Sequence, residues 1–175
     1  MEKHLSTPLT YDKIKDLKMG DFILLSGIIY TARDAAHARF IDLINEGKEL
    51  PFDIKGSVIY YVGPTPTKPG QIIGSCGPTT SYRMDAYSPL LIEKGLRGMI
   101  GKGKRSKEVT DSMKQHGAIY LAGIGGAAAI TADCVVSQEM ICYEDLQAEA
   151  VRKLEVKNMP LIVAIDINGN DIFAR

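Results

Sequence analysis

The sequence predicts a mixed α/β fold built of packed layers, and two observations carry this prediction. Apolar runs that are typical of strands alternate unevenly with helical patterns along the 175 residues, whereas a doubly wound sheet would alternate regularly. Near the end, Asn168-Gly169 is a strong signal for a two-residue hairpin leading into residues 171–174. The length fits one domain, which we expect to span residues 1–175.

Glycine, proline and polar turns bound the predicted elements. The predicted strands, in chain order, are residues 21–30, 57–62, 71–75, 97–100, 118–122, 151–155 and 161–166. The predicted helices are residues 11–17, 31–45, 84–94 and 106–116. Ser106 is a good N-cap for the last helix and Gly117 lies just past its end. The proline-rich segment 64–70 predicts a rigid crossing loop, and residues 123–129 predict a flexible, small-residue segment.

Composition excludes several classes of protein. Lys plus Arg and Asp plus Glu both number 21, so the formal net charge is zero and we expect no general nucleic-acid binding. No apolar run approaches 18 residues, so we expect no membrane-spanning helix, and the start lacks an apolar signal region. The three cysteines, Cys76, Cys134 and Cys142, are widely spaced, which favours a reducing cytoplasm over a disulfide framework. The same spacing argues against an iron–sulfur cluster held by this chain alone.

The first candidate site is the segment Thr31–Arg39. Thr31 and Asp34 have the spacing of a capping box, which places Arg33 in the first turn of the predicted helix. A cation is disfavoured there unless an anion joins it, because the helix N-terminus already has positive character. The alternative is a capped surface helix with a solvated arginine. His37 in the same segment is more typical of a packed residue than of a catalyst.

The second candidate site is the segment Ser75–Asp85. Thr79, Thr80 and Ser81 follow a Gly-Pro break and predict hydroxyl and backbone N–H groups pointing into one concavity. Arg83 adds a guanidinium fork that matches a carboxylate. The alternative is a Ser/Thr-rich helix cap.

The third candidate site is the basic stretch from Lys94 to Lys107, which holds six basic residues and no acid. Gly101 and Gly103 flank Lys102, so the loop allows both backbone and ammonium group to approach an anion. The alternative is a solvated basic loop. A weaker feature is a dinucleotide-type G-x-G-x-x-A pattern in residues 123–128, for which close backbone packing is the better explanation.

The series TARDAAHAR, GPTTSYRMD, MIGKGKRS and YLAGIGGAAAI, in this order and spacing, resembles the β subunit, or C-terminal domain, of the class I iron–sulfur hydro-lyases. These are the class I fumarate hydratases and the L(+)-tartrate dehydratases. The resemblance extends over nearly the whole chain. It implies a mixed-sheet swivelling β/β/α domain, and it implies that the cluster cysteines lie in a separate α subunit.

The resemblance also implies a reaction and a set of site residues. The reaction is the reversible dehydration of a 2-hydroxy dicarboxylate, foremost (S)-malate to fumarate, with L(+)-tartrate to oxaloacetate as the alternative. Thr79 matches the proposed catalytic base, with Lys102 as a candidate catalytic partner. The substrate-binding candidates are Arg33, Arg83, Lys102, Thr80 and Asp34, with Asp34 expected to orient Arg33. A [4Fe–4S] cluster is expected to be bound by the α subunit and not by this chain.

Three further expectations complete the sequence-based picture. Tyr82 stands where the family often has a small residue, so it is a candidate for narrowing the substrate pocket. The isolated chain is expected to leave part of its α-subunit interface bare, which makes a homodimer one expected result. A hypothesis of a different class is a stand-alone anion- or nucleotide-binding module built on the basic loop and the glycines after the strand 118–122.

Overall fold

The computed structural model describes residues 2–123 and 128–174 and builds one seven-stranded sheet from them. The strands are β1 (Glu2–Ser6), β2 (Phe22–Thr31), β3 (Val58–Tyr60), β4 (Gly98–Gly101), β5 (Ile119–Gly123), β6 (Val135–Cys142) and β7 (Val151–Ile165). The α-helices are α1 (Tyr11–Ile14), α2 (Asp34–Asn45), α3 (Ser88–Glu93), α4 (Lys107–His116) and α5 (Ala128–Asp133). Two 3₁₀ segments cover Ser81–Met84 and Glu144–Glu149.

The sheet mixes parallel and antiparallel pairings, which confirms the predicted fold class. Strands β1 to β5 pair in parallel in chain order. β7 runs antiparallel to both β2 and β5, so the pairings β2–β3–β4–β5–β7 return to β2 and form a ring. β6 pairs with β7 outside this ring. The long strand β7 therefore joins the two ends of the parallel series β2 to β5, which would otherwise form an open sheet.

Two apolar clusters lie on opposite faces of the strands, because successive side chains of a strand alternate in direction. Val58 and Tyr60 of β3 belong to the cluster on one face, whereas Ile59 belongs to the cluster on the other. The first cluster consists mainly of residues from the paired strands, and the second includes Phe40 of α2 and Met113 of α4. The second face is therefore covered by helices, which hold their N-terminal ends above the carboxyl ends of the strands.

This topology fixes where the candidate sites lie. The parallel strands β2, β3, β4 and β5 all end at the same edge of the sheet. β7 starts at that edge, since Arg152 pairs with Thr31 in the antiparallel register. The segments that follow the parallel strands, and the 3₁₀ segment that precedes β7, therefore surround one edge.

Several predicted elements are wrong in extent or kind. Residues 71–75 form no strand; Thr65 and Ser75 instead hydrogen-bond to each other across the proline-rich loop. The strands predicted at 151–155 and 161–166 are parts of one strand, β7. This strand continues through Pro160. The helix predicted over 84–94 is a 3₁₀ turn followed by α3, with Pro89 in the first turn of α3. The helix predicted over 11–17 is limited to Tyr11–Ile14.

Other elements follow or escape the sequence pattern for clear reasons. Ser106 caps α4 by accepting a hydrogen bond from Val109, and Gly117 adopts φ +78 past its end, as predicted. A turn forms at Asn168-Gly169, but the predicted two-residue hairpin is wrong: Gly169 N–H donates to the Asp166 carbonyl at 3.0 Å, Ile165 bridges to Asp171, and no strand follows. β1 and β6 were not predicted, because their mostly exposed residues give them little apolar alternation. None of the helices in the described ranges is long and apolar enough to cross a membrane.

Candidate active site

All three sequence-predicted motifs with described residues lie at the edge where the parallel strands end. Arg33 and Asp34 follow β2, Lys102 follows β4, and a backbone bridge joins Lys102 to Thr80 in the second motif. The carboxyl edge of parallel strands is where open α/β sheets bind ligands, because loops from several strands converge there. The predicted glycine pattern continues β5, but residues 124–127 lie outside the described part of the chain.

Arg83 and Asp34 form a two-pronged ion pair across this edge. The Arg83 Nε and Nη2 atoms each donate to an Asp34 carboxylate oxygen at 3.0 Å. Both side chains are about 38–39% exposed. Partial burial alone raises the pKa of Asp34, but hydrogen bonds from Arg83 and the charges of Arg83 and Arg33 outweigh it and lower that pKa. The expectation that Asp34 orients Arg33 is therefore corrected: its hydrogen-bonded partner is Arg83.

Arg33 lies at the same edge as Arg83, since Arg33 directly precedes Asp34 in the chain and Asp34 is hydrogen-bonded to Arg83. It is the N-cap residue of α2, with extended backbone and no side-chain capping bond. The predicted Thr31 capping box is wrong, because Thr31 is buried in β2 and bonds the backbone of Ala150 and Arg152. Within the described residues, the buried Nε of Arg33 has no hydrogen-bond partner. A buried donor without a partner is costly, so this guanidinium is not fully satisfied by the described residues around it.

Gly63, which follows β3, gives the Arg33 guanidinium its room. A Cβ at Gly63 would lie 2.9 Å from Arg33 Nη1 and 3.3 Å from the Ala148 carbonyl oxygen. The guanidinium therefore rests between the turn after β3 and the 3₁₀ segment Glu144–Glu149. In that segment Glu149 has a buried carboxylate oxygen without a partner among the described residues, and its charge contributes to the raised pKa of Arg83.

The backbones of Thr79, Thr80 and Lys102 are held side by side. Ser81 N–H donates to the Lys102 carbonyl at 2.9 Å, and Lys102 N–H donates to the Thr79 carbonyl at 3.3 Å. Thr79 N–H in turn donates to the Tyr61 carbonyl at 2.7 Å. Lys102 is exposed, and the described contacts include no hydrogen bond from its ammonium group to another candidate residue. The backbone of Lys102 is therefore placed at the site, whereas its side chain is exposed.

Ser81 does not join the predicted concavity of hydroxyl groups. Its side chain is buried, and its Oγ lies 2.7 Å from the phenolic oxygen of Tyr120. The Tyr120 hydroxyl also donates to the Gly103 carbonyl at 2.8 Å. The N–H groups of Thr79 and Ser81 are already bonded to carbonyls as well. The site therefore offers the hydroxyls of Thr79 and Thr80, both half-buried, rather than three hydroxyls and a backbone cradle.

Sequence reasoning missed a second Arg–Asp pair directly beneath the site. Arg105 Nε donates to Asp85 Oδ1 at 2.7 Å, with the Arg105 side chain 0% exposed. Its Nη2 donates to Ser88 Oγ at 2.9 Å and to the Tyr61 hydroxyl at 3.1 Å. Nothing in the sequence distinguishes Arg105 from the exposed basic residues beside it. Because Arg105 is buried, the alternative of a fully solvated basic loop is only partly correct.

His37 is packed, as the sequence favours. It is fully buried, and its ring lies 5.5 Å from that of Tyr61 and 5.9 Å from that of Tyr87. Its Nδ1 lies 2.8 Å from the Arg33 carbonyl oxygen, which requires that Nδ1 carry the proton and donate. Burial lowers the pKa of His37 to about 4, so the ring is neutral at physiological pH. His37 thereby fixes the backbone from which the Arg33 side chain departs.

The residues of this chain do not fit an iron–sulfur cluster. Within residues 2–123 and 128–174, no three His, Cys, Asp or Glu side chains come close enough together to hold a metal ion. Cys76 is buried, and burial raises the pKa of its thiol to about 11, which disfavours the thiolate that a metal requires. Cys134 contacts the Asn158 carbonyl, and Cys142 lies beside Arg39.

The arrangement as a whole is a cationic edge with two hydroxyl groups. Two guanidinium groups and one ammonium group lie on segments that follow different strands, and one acidic side chain braces one of the guanidinium groups. Such a set of separated cations suits a small anion with more than one carboxylate. Tyr82, beside Arg83, is 63% exposed and borders this edge.

The chain is similar in sequence to several curated proteins. The chain is 46% identical over 153 residues to the anaerobic class I fumarate hydratase of Escherichia coli, covering 86% of this chain and 28% of that protein. It is 39% identical over 187 residues to fumarate hydratase 2 of Leishmania major, covering 99% of this chain and 33% of that protein. The chain thus spans about a third of the length of these relatives.

A shorter relative matches this chain almost from end to end. A protein of Methanocaldococcus jannaschii with the provisional name L(+)-tartrate dehydratase subunit beta is 40% identical over 171 residues, covering 94% of this chain and 88% of that protein. The family model described as Fumarase C-terminus matches residues 2–175. Since that match takes in every strand of the ring and every described motif at its edge, the chain belongs to the Fumarase C-terminus family.

Proposed function

We propose that this chain is the β subunit of a hydro-lyase that reversibly dehydrates a 2-hydroxy dicarboxylate, foremost (S)-malate to fumarate. One observation carries the proposal: Arg33, Arg83 and Lys102, from three distant parts of the sequence, lie at one edge of the sheet beside Thr79 and Thr80. The fumarate hydratases among its relatives support the reaction class.

The arginines bind the substrate carboxylates in this proposal. Asp34 occupies the Nε–Nη2 edge of Arg83, which leaves the Nη1–Nη2 edge for a substrate carboxylate. We assign the second carboxylate to Arg33 together with Lys102, since both follow strands that end at this edge. These fixed cations also stabilise the negative charge that grows on a carboxylate when the neighbouring carbon loses its proton.

Thr79 is the residue we assign to proton transfer, with Lys102 as a candidate partner. A neutral hydroxyl is a weak base unless a neighbouring group takes its proton. The Thr79 backbone is hydrogen-bonded to both Tyr61 and Lys102, which fixes the point from which its side chain departs. Thr80, bridged to Lys102, contributes a second hydroxyl for binding the substrate.

The rest of the enzyme is a separate α subunit in this proposal. The chain accounts for about a third of the fumarate hydratases it matches but for 88% of the provisionally named tartrate dehydratase subunit. We assign the [4Fe–4S] cluster, which would act as a Lewis acid on the leaving hydroxyl, to that α subunit. The assembled enzyme is expected in the cytoplasm.

A second substrate has specific support. The Methanocaldococcus jannaschii relative that this chain nearly covers carries a tartrate dehydratase name. Tartrate has one more hydroxyl group than malate, so it asks for one more hydrogen-bonding group at the same cationic edge. Thr80 and the exposed Tyr82 hydroxyl are the candidates in this chain.

The test is reconstitution with the α subunit and its cluster, followed by turnover assays with malate and tartrate. An Arg83→Met variant is expected to lose at least about 30-fold in kcat/KM. The charge pair that it removes, between Arg83 and the substrate carboxylate, is desolvated in the complex, and truncating one partner of such a pair costs about 2–5 kcal/mol. Arg39→Met is the matched control, since Arg39 also forms a bidentate pair, with Asp145, outside the proposed site.

The outcomes separate the alternatives. Turnover of malate or tartrate that survives Arg39→Met and is lost in Arg83→Met supports the proposal. An Arg83→Met enzyme with full kcat/KM defeats the site assignment. Tight binding of NAD or ATP by the isolated chain, measured by calorimetry, would instead favour the nucleotide-binding module.

A further inference from the structure

Asp85 joins two segments that carry proposed substrate-binding residues. It follows the 3₁₀ turn Ser81–Met84, which contains Arg83. Its Oδ1 accepts from Arg105 Nε at 2.7 Å, and its Oδ2 accepts from the Ser106 backbone N–H at 2.8 Å. Both acceptor atoms of one carboxylate are thus used on the loop between β4 and α4, which begins with Lys102.

Arg105 extends this connection into the core. Its guanidinium lies 5.2 Å from the Tyr61 ring centroid and 4.9 Å from that of Tyr120. Tyr61 accepts the Thr79 N–H through its carbonyl, and Tyr120 bonds both Ser81 and Gly103. Tyr61 is therefore one hydrogen bond away from the Thr79–Arg83 segment, and Tyr120 is one hydrogen bond away from both that segment and the Lys102 loop.

The burial of this network distinguishes it from an ordinary surface ion pair. The Arg105 side chain is 0% exposed and that of Asp85 is 14% exposed. A buried charge that loses its partner is strongly destabilising, so the geometry of the pair is tightly held. Lys102, by contrast, is exposed, and its described hydrogen bonds are made by its backbone. Its position therefore depends on how the loop is held.

We propose that Arg105 is a positioning residue for the site: through Asp85, Ser88 and the two tyrosines, it fixes the Lys102 loop relative to the turn that carries Arg83. It touches no substrate itself. The placement of the two segments stands on the contacts above, and the catalytic consequence rests on the proposed function.

The first test needs no activity. Hydrogen exchange of the isolated chain is compared between wild type, Arg105→Met and Met113→Ala, a control that opens a cavity in the same apolar cluster under α4. Arg105→Met is expected to raise exchange at the Ser81, Lys102 and Ser106 amides about tenfold more than at β7 amides. Met113→Ala is expected to raise both sets to a similar extent.

An equal rise at both sets of amides in Arg105→Met would overturn the proposal, since it would show a general loss of stability. Where Arg105→Met does not fold, Asp85→Asn is used in its place. That variant keeps an oxygen acceptor but leaves the Arg105 charge without its counter-charge, so it is expected to loosen the same three amides, Ser81, Lys102 and Ser106, by a comparable factor.

The second test is a double-mutant cycle in the reconstituted enzyme. If Arg105 acts by placing Lys102, then Lys102→Met should reduce kcat/KM at least about threefold less in the Arg105→Met background than in wild type. Independent effects that simply multiply would contradict the positioning role. Absence of turnover in the wild-type assembly would count against the proposed function, while the exchange result would still decide the placement.

Discussion

Two Arg–Asp pairs of the same chemistry each take one residue from positions 83–85, and the two pairs differ in burial. Arg83–Asp34 is bidentate and more than a third exposed on each side, whereas Arg105–Asp85 has a fully buried guanidinium. The exposed pair leaves one edge of Arg83 accessible, and the buried pair spends its donors on Asp85, Ser88 and Tyr61. Burial thus separates an arginine that is free to bind a ligand from one that holds the scaffold.

The sharpest way to break this comparison is to remove one carboxylate from each pair. Asp85→Asn leaves the Arg105 charge buried without its counter-charge, so we expect the free energy of unfolding to fall by about 3–5 kcal/mol. Asp34→Asn acts on a half-exposed pair and should lower it by less than about 1 kcal/mol. Urea denaturation followed by circular dichroism measures both. Equal losses would show that burial does not distinguish the pairs.

The stability of the fold at acid pH tests whether the buried region tolerates a positive charge on His37. His37 has a pKa of about 4 in the folded chain, below the ordinary 6.5, because burial disfavours its charged form. Between these values the unfolded chain binds a proton that the folded chain does not, so stability is full above pH 6.5 and falls as the pH drops toward 4. The shift corresponds to about 3 kcal/mol.

The measurement is the urea midpoint of wild type and His37→Gln across that pH range. Removing the imidazole should flatten the pH dependence between 6.5 and 4, even if the variant is less stable at every pH. A slope that persists unchanged in His37→Gln would mean that another group causes it.

The exposed pair is expected to matter more for binding than for folding. In the reconstituted enzyme, Asp34→Asn should raise KM about five- to tenfold, because Arg83 loses charge-assisted hydrogen bonds that hold its free edge toward the substrate. Steady-state kinetics with malate measures this. Asp145→Asn, which removes the partner of Arg39, serves as the control, and an equal rise in that variant would contradict a specific role for Asp34.

Alanine substitutions at two glycines should give the smallest effects. One glycine lies beside the exposed edge and the other beside the buried network. At Gly63, a Cβ would meet the end of the flexible Arg33 side chain at 2.9 Å, so Gly63→Ala should displace that guanidinium and raise KM about threefold. At Gly101, a Cβ would collide with the buried Ser81 hydroxyl and lie 2.8 Å from the Tyr61 ring. Gly101→Ala should therefore lower the thermal midpoint clearly more than Gly63→Ala, whose own shift should be small.

Part of the site's location was predictable, because the first and third motifs lie at the ends of predicted strands that the structure contains. The sequence pattern did not establish that these strands run in parallel, so the convergence of Arg33 and Lys102 was implied only by the family resemblance. The pairing of charges was not predictable in this way. Asp34 lies one residue from Arg33 yet pairs with Arg83, 49 residues away, and the sequence offers 21 acids and 21 bases to combine.

The remaining differences arise where exposure hides an element or burial hides a role. β6 carries Val136 and Met140 on its exposed side, so it lacks the alternation that marks a half-buried strand. Arg105 stands among exposed lysines and is indistinguishable from them by residue type. Arg105 becomes part of the core because the rings of Tyr61 and Tyr120 pack against it. These two residues are 44 and 15 positions away from Arg105 in the chain, so local sequence does not show the contact.

The ring closed by β7 has a consequence for how the chain acquires its fold. β7 follows every other strand in the sequence, yet it pairs with β2 between Phe22 and Ile162, so most of this ladder joins residues more than a hundred positions apart. Such high contact order slows folding, because the entropy of closing a long loop is lost before the contacts form. During synthesis, β2 must wait with its β7-facing edge unpaired until the last strand leaves the ribosome, which makes this stage the one most exposed to aggregation.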